Sequence, residues 1–132
     1  MNNQQKGKDL EKRFMGYLSK QGFWVHFLHP APDGSQPFDI IAIRKIYECT
    51  QVCAFDCKTL AGHRFPLDRA EDNQLAAFEL LNRKGVHNTY FVVEIEQGSV
   101  YYVPSQHVSA MKKDGAKSID LRGGAYASIS IE

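Results

Sequence analysis

The chain has 132 residues, a formal net charge of +1 and 43% hydrophobic residues. That is one domain's worth of chain with enough apolar content for a buried core, and so near-neutral a charge rules out inferring nucleic-acid binding from composition alone. No apolar run approaches the roughly 20 residues of a membrane span, the polar start MNNQQKGKDLEKRF has no signal-peptide core, and an odd three cysteines favour reduced thiols and a cytoplasmic setting.

Taken in order, residues 1–6 read as a disordered leader. From about Gly7 to Lys20 the pattern is helical: Leu10, Phe14 and Leu18 form one apolar row and Met15 widens it. Glu11 falls on the edge of that stripe, so it is either a surface acid favoured by the helix dipole or an acid aimed at a site. Gly22 ends the helix. Phe23–Leu28, aromatic and β-branched, reads as a strand, and Pro30–Ser35 as a loop. Two short apolar runs follow, Phe38–Ile43 and Val52–Cys57, joined by a charged connection; these read as a hairpin of buried strands.

Thr59–Phe65 reads as a polar loop. Asp68 is placed to cap a helix, with Glu71 completing a capping box, and that helix runs to about Lys84 and stops at Gly85. Leu75, Ala77, Phe78 and Leu81 face inward. Gln74 shares their stripe, either as an edge glutamine or as a buried amide that needs partners. Tyr90–Glu94 and Val100–Val103 read as strands around a Gln97–Gly98 turn. Ser105 caps a short helix ending near Gly115, and residues 119–131 add a final strand interrupted by Gly123 and Gly124. The expected fold is mixed α/β over a single domain, 1–132. Its central sheet, built on strands 23–28, 38–43, 52–58 and 90–94, is flanked by the first helix and the 70–84 helix.

The chemistry concentrates in the hairpin. Each apolar run holds one carboxylate, Asp39 or Asp56, and buried carboxylates are costly unless paired or metal-bound. Side chains two apart on a strand share a face, so Lys58 points the same way as Asp56, roughly 7 Å along the strand. If the chain turns around Tyr47 and Glu48, Asp39 lies opposite Asp56, with Cβ atoms roughly 5 Å apart. Two carboxylates so placed repel unless a cation lies between them. An oxygen-rich site suits Mg²⁺, with Mn²⁺ as a substitute, and a lysine beside it can orient water or stabilise charge on a phosphoryl group. Cys49, Cys53 and Cys57 are spaced by four, but on a hairpin they do not form a row, and no C-x₂-C pair supports zinc. Lys8, Lys12, Arg44, Lys45, His63 and Arg64 are candidate contacts to DNA phosphates, which position without reading sequence.

Pro37-Phe38-Asp39 followed by Asp56-Cys57-Lys58 resembles the PD-(D/E)XK nuclease motif. The run Phe55-Asp56-Cys57-Lys58-Thr59, then Arg64-Phe65-Pro66-Leu67 and Gln74, resembles the corresponding run of RecU-type Holliday-junction resolvases. Tyr101-Tyr102-Val103-Pro104 and Lys117-Ser118-Ile119 resemble later segments of that family in the same order. The resemblance implies a restriction-endonuclease-like core and a Mg²⁺-dependent endodeoxyribonuclease from a bacterium or its phage, acting on branched or duplex DNA as a homodimer. It implies that Glu11, Asp39 and Asp56 hold the metal with the Cys57 backbone carbonyl, and that Gln74 approaches Lys58 or the attacking water. Two departures stand out: Asp56 occupies a position usually held by glutamate, and the long stalk before the first catalytic aspartate is reduced to a short loop. Cleavage of flaps, nicks or plain duplex, and DNA binding without turnover, are the alternative readings.

Overall fold

A computed structural model of the chain describes residues 2–96 and 98–131, with the backbone alone at positions 3 and 4. Helix α1 spans Asn3–Lys20. The expected leader is therefore helical from Asn3 onward, and Met1 lies outside the described residues. The reason is a capping box: the Asn2 side chain accepts from the Gln5 backbone at 2.9 Å, and Gln5 returns the bond to the Asn2 N–H at 3.1 Å. Gly22, at φ +91°, lets the chain leave the helix through the left-handed region.

Strands β1 (Trp24–Phe27), β2 (Ile40–Ile46), β3 (Cys49–Thr59), β5 (Asn88–Glu96), β6 (Ser99–Pro104) and β8 (Ser128–Ser130) form one six-stranded sheet in the order β1-β2-β3-β5-β6-β8. Only β3 and β5 run parallel, and helix α2 (Asp72–Arg83) lies in the crossover between them. The sheet is thus mixed, as expected. A second, two-stranded sheet pairs β4 (Arg64–Pro66) with β7 (Ser118–Asp120). Both pieces correct the sequence reading, which made the first a loop and joined the second to the closing strand. Three-residue strands carry too little periodicity to stand out from turns. Helix α3 (Ser105–Lys113) completes the fold.

Alternation along the strands divides the core into two layers. On one face, Cys53, Phe55 and Val92 pack under Leu10, Phe14 and Leu18 of α1. On the other, Ala54, Phe91 and Val93 pack against Phe78 of α2 and Val108 of α3. Phe14 and Phe55 meet edge to face at 4.9 Å, Phe38 and Phe78 stacked at 5.4 Å.

Three cap assignments change. Asp68 lies in a short 3₁₀ turn, Leu67–Arg69, and the helix starts later, with Glu71 as its N-cap in a box with Gln74. Ser105 does not cap α3; it is buried, and its hydroxyl lies 2.6 Å from that of Thr89. Of the predicted Gln97–Gly98 turn, Gln97 lies outside the described residues and Gly98 has φ +84°. No described helix is long and apolar enough to cross a membrane.

Candidate active site

The β2–β3 hairpin has the register expected of a turn at Tyr47–Glu48: Ile46 faces Cys49, and the pairing continues to Ile40 against Phe55. Asp39 stands just before β2 and is held by β3 and by Leu28, the residue after β1. Its N–H donates to the Phe55 carbonyl at 3.1 Å, its carbonyl accepts from Leu28 at 2.7 Å, and its Oδ2 accepts from the Cys57 N–H at 2.8 Å. Asp56 and Lys58 have the same parity as Ala54 and therefore point to the α2–α3 face, while Cys57 points toward α1.

The two carboxyl groups lie within hydrogen-bonding reach of each other. Burial, at 2% exposure, pushes the Asp56 pKa up to about 7, with the negative charge of Asp39 adding to the rise and Lys58 opposing it. Asp39 is raised chiefly by burial, against the Cys57 hydrogen bond. Lys58 Nζ is 3.0 Å from Asp56 Oδ2, but off the line of a hydrogen bond, so this buried oxygen has a charge partner and no hydrogen-bond partner. A buried and a half-buried carboxylate beside one ammonium are short of positive charge.

Glu11 reaches the same neighbourhood from the α1 side. It is half-buried, and its pKa rises to about 7 through burial and then the charge of Asp39, with Lys8 opposing. The structure brings Asp39, Asp56 and Lys58 together and leaves Glu11 at a distance: among the described residues, no three His, Cys, Asp or Glu side chains form a ready-made ligand cluster. Cys57, between these acids, has its thiol pKa raised well above normal by burial and then by their charges. Cys53 is buried and Cys49 exposed.

Gln74 is buried at 8% exposure, but its Oε1 accepts from the Glu71 N–H at 3.2 Å, capping α2. No hydrogen bond joins it to Lys58 among the described residues. Asn73, beside it, donates to the Gln36 carbonyl at 3.2 Å and so ties α2 to the loop that delivers Asp39.

The basic candidates separate. Arg44 is half-buried and structurally occupied: it donates to Gln51 Oε1 at 2.8 Å and the Gln21 carbonyl at 2.9 Å, and lies 4.3 Å from the centre of the Phe23 ring. Lys45 lies toward the hairpin tip, roughly 20 Å from Asp39 at about 3.3 Å per residue. Lys8 and Lys12 are exposed on α1. His63 Nδ1 is 2.9 Å from Asp120, and Arg64 shares a cleft with Lys58.

Sequence reasoning missed one ion pair. Arg13 Nη1 and Nη2 donate to the two oxygens of Glu94 at 2.6 and 2.9 Å, and its Nε to Asp9 at 2.7 Å. Glu94, 8% exposed, also accepts from the Gly98 N–H at 2.8 Å. The signal was available: Glu94 is an acid inside an apolar strand run, as are Asp39 and Asp56. The pair fastens α1 to β5 two residues along the helix from Glu11. Arg13→Ala leaves a buried carboxylate without its cation and is expected to cost about 3–5 kcal/mol. Urea denaturation measures this, and a loss below about 1 kcal/mol contradicts it.

Layer order and sheet topology define a mixed α/β fold, a six-stranded sheet with helices on both faces. The structure is similar to that of Hjc, a Holliday junction resolvase from the archaeal hyperthermophile Archaeoglobus fulgidus, with a TM-score of 0.57 and 18% sequence identity over 76% of this chain and 74% of that one. No family model and no curated protein matches the sequence. At that identity the likeness defines the fold, and the chemistry rests on the site's own geometry.

Proposed function

We propose that the chain is a metal-dependent, structure-selective endodeoxyribonuclease of the Holliday-junction-resolvase kind, a RecU-like member of the PD-(D/E)XK nucleases. One observation carries this reading: a buried carboxyl group, Asp56, within reach of the half-buried carboxyl group of Asp39, beside a lysine, at the end of a hairpin. The structural likeness to a resolvase supports it. A hard divalent cation suits the oxygen donors and the buried Asp56 Oδ2 that lacks a hydrogen bond. Asp39 and Asp56 would hold Mg²⁺ or Mn²⁺, with the Cys57 backbone carbonyl as a further donor and Glu11 through an intervening water. When bound, such an ion supplies charge neutralisation at the phosphoryl group.

The chain's own groups set the rest. The Cys57 N–H fixes one Asp39 oxygen, and burial keeps the Asp56 carboxylate out of solvent. Lys58, now leaning on Asp56, is the group positioned to orient a water or to stabilise the transition state's added negative charge. Gln74, whose Oε1 caps α2, would approach Lys58 or the attacking water with its side-chain amide. Branched DNA as substrate implies a two-fold dimer making paired incisions.

The test compares synthetic four-way junction, flap, nicked and linear duplex DNA with Mg²⁺, Mn²⁺ or EDTA. Metal-dependent incision strongest on the junction is the expected result. Preference for flap or duplex replaces the substrate assignment. Tight binding without incision in either metal leaves a DNA-binding module on this fold.

A further inference from the structure

Two concave surfaces adjoin the site, and they differ in charge. The smaller, about 290 Å³, is walled by Asp9, Glu94 and Glu96 together with Arg13 and Lys6, which it shares with the larger. The larger, about 640 Å³, opens beside Lys58 and is lined by Lys6, Lys58, Arg64 and Arg69, with no acid in its walls. Lys58 is paired with Asp56; the other three cations face the cleft without an acidic partner among the described residues. Both guanidiniums are anchored at one end. Arg64 Nε donates to Ser118 Oγ at 3.0 Å, and Arg69 Nη1 to the Thr59 carbonyl, which leaves the remaining N–H groups of each fork for a ligand. An arginine fixed in this way binds an anion with less ordering cost than a free one. The anchors come from β7 and from the end of β3, so the cleft's shape is set by the same strand that carries Asp56 and Lys58.

We infer that this cleft is a channel for the sugar–phosphate backbone of the strand being cut, engaging the phosphodiesters on one side of the scissile bond. The concavity next to it, whose acids are paired with Arg13 and Arg122, offers the backbone no comparable set of unpaired cations. The inference rests on the nuclease reading and adds Arg69 and Lys6 to the DNA contacts, with Arg64 as their centre. It also places Lys45, and the structurally occupied Arg44, outside the footprint.

The experiment uses the full chain and its Arg64→Ala, Arg69→Ala and double variants. Binding to fluorescent junction DNA is followed by anisotropy in EDTA across a salt series. Each substitution is expected to lower the slope of log affinity against log salt by about 1. Cleavage is then measured on DNAs carrying a single neutral methylphosphonate at successive linkages. Methylphosphonates at one or two linkages adjoining the cut are expected to slow cleavage by the parent while leaving that of the double variant unchanged. Unchanged salt slopes, or the same methylphosphonate profile in parent and double variant, overturn the channel. Failure of every DNA to be cut overturns the nuclease reading and leaves the binding arm to decide the cleft. Arg69→Ala also removes the bond to Thr59, so thermal melting accompanies it. Arg64→Ala, which loses only a bond to a half-buried serine hydroxyl, keeps the test decisive should Arg69→Ala misfold.

Discussion

Asp56→Asn is expected to reduce metal-dependent cleavage roughly 10²–10³-fold or more, the scale of losing a principal electrostatic element of an active site, while DNA affinity in EDTA stays level or rises. The two readouts move apart for a physical reason. The substitution removes a charge that the proposed reaction uses, and the same charge repels the phosphate backbone. The volume and burial of the side chain hardly change. A buried ion triad with no catalytic use predicts a different pattern, in which stability shifts and turnover does not. Single-turnover cleavage at saturating DNA, paired with anisotropy, distinguishes the two. Cleavage by Asp56→Asn within about tenfold of the parent removes Asp56 from the mechanism.

The same residue governs the second large effect, a dependence of metal-free stability on pH that runs opposite to that of most paired carboxylates. Its folded pKa, about 7, lies above the unfolded value of 3.8, so the native state holds a proton that the unfolded chain has released. The resulting stability is fully present below about pH 4 and is lost as pH rises through 7. Asp56 alone changes the unfolding free energy by up to about 1.4 kcal/mol for each pH unit of that window. Glu11, also raised to about 7, acts in the same direction but more weakly, since it is half in solvent. Urea titrations in EDTA between pH 5 and 8 are expected to show the parent losing stability and Asp56→Asn losing distinctly less, the remainder coming from Glu11 and Asp39. A parent that gains stability across this range contradicts the raised pKa. Added Mg²⁺ is expected to restore the loss at pH 8, because an ion that binds only the native state stabilises it by mass action.

The parts of this molecule that were legible in the sequence are those with long, regular patterning. The Leu10, Phe14, Leu18 row specified α1, and the two apolar runs with their polar connection specified the hairpin, including the register that brings Asp39 opposite Asp56. The parts that were not legible depend on contacts between distant segments. Whether Arg44 faces phosphate or protein is decided by Gln21, Phe23 and Gln51, none of which marks it in a linear reading. Gln74 shares the inward stripe as expected, yet its carbonyl is spent on the helix cap, because the 3₁₀ turn at Leu67–Arg69 delays the start of α2. Glu11 was read as one of three converging acids; it lies on the opposite layer and is coupled to Asp39 by charge, without joining a close cluster. The Arg64–Pro66 strand forms only because Ser118–Asp120 arrives to pair with it.

The hairpin has a kinetic consequence as well. Its pairing, like that of β5 with β6, is local, turning through Tyr47 and Glu48, whereas β5 reaches β3 only after the whole α2 crossover has been threaded. Local contacts close first and at lower entropic cost. The two acids therefore meet early, ahead of the helical layer that later shuts out water, and their mutual repulsion falls on the search for the native state as well as on its depth. Proton or cation, whichever neutralises the pair, thus hastens assembly of the sheet, and the feature that equips this chain for chemistry also sets the pace at which it folds.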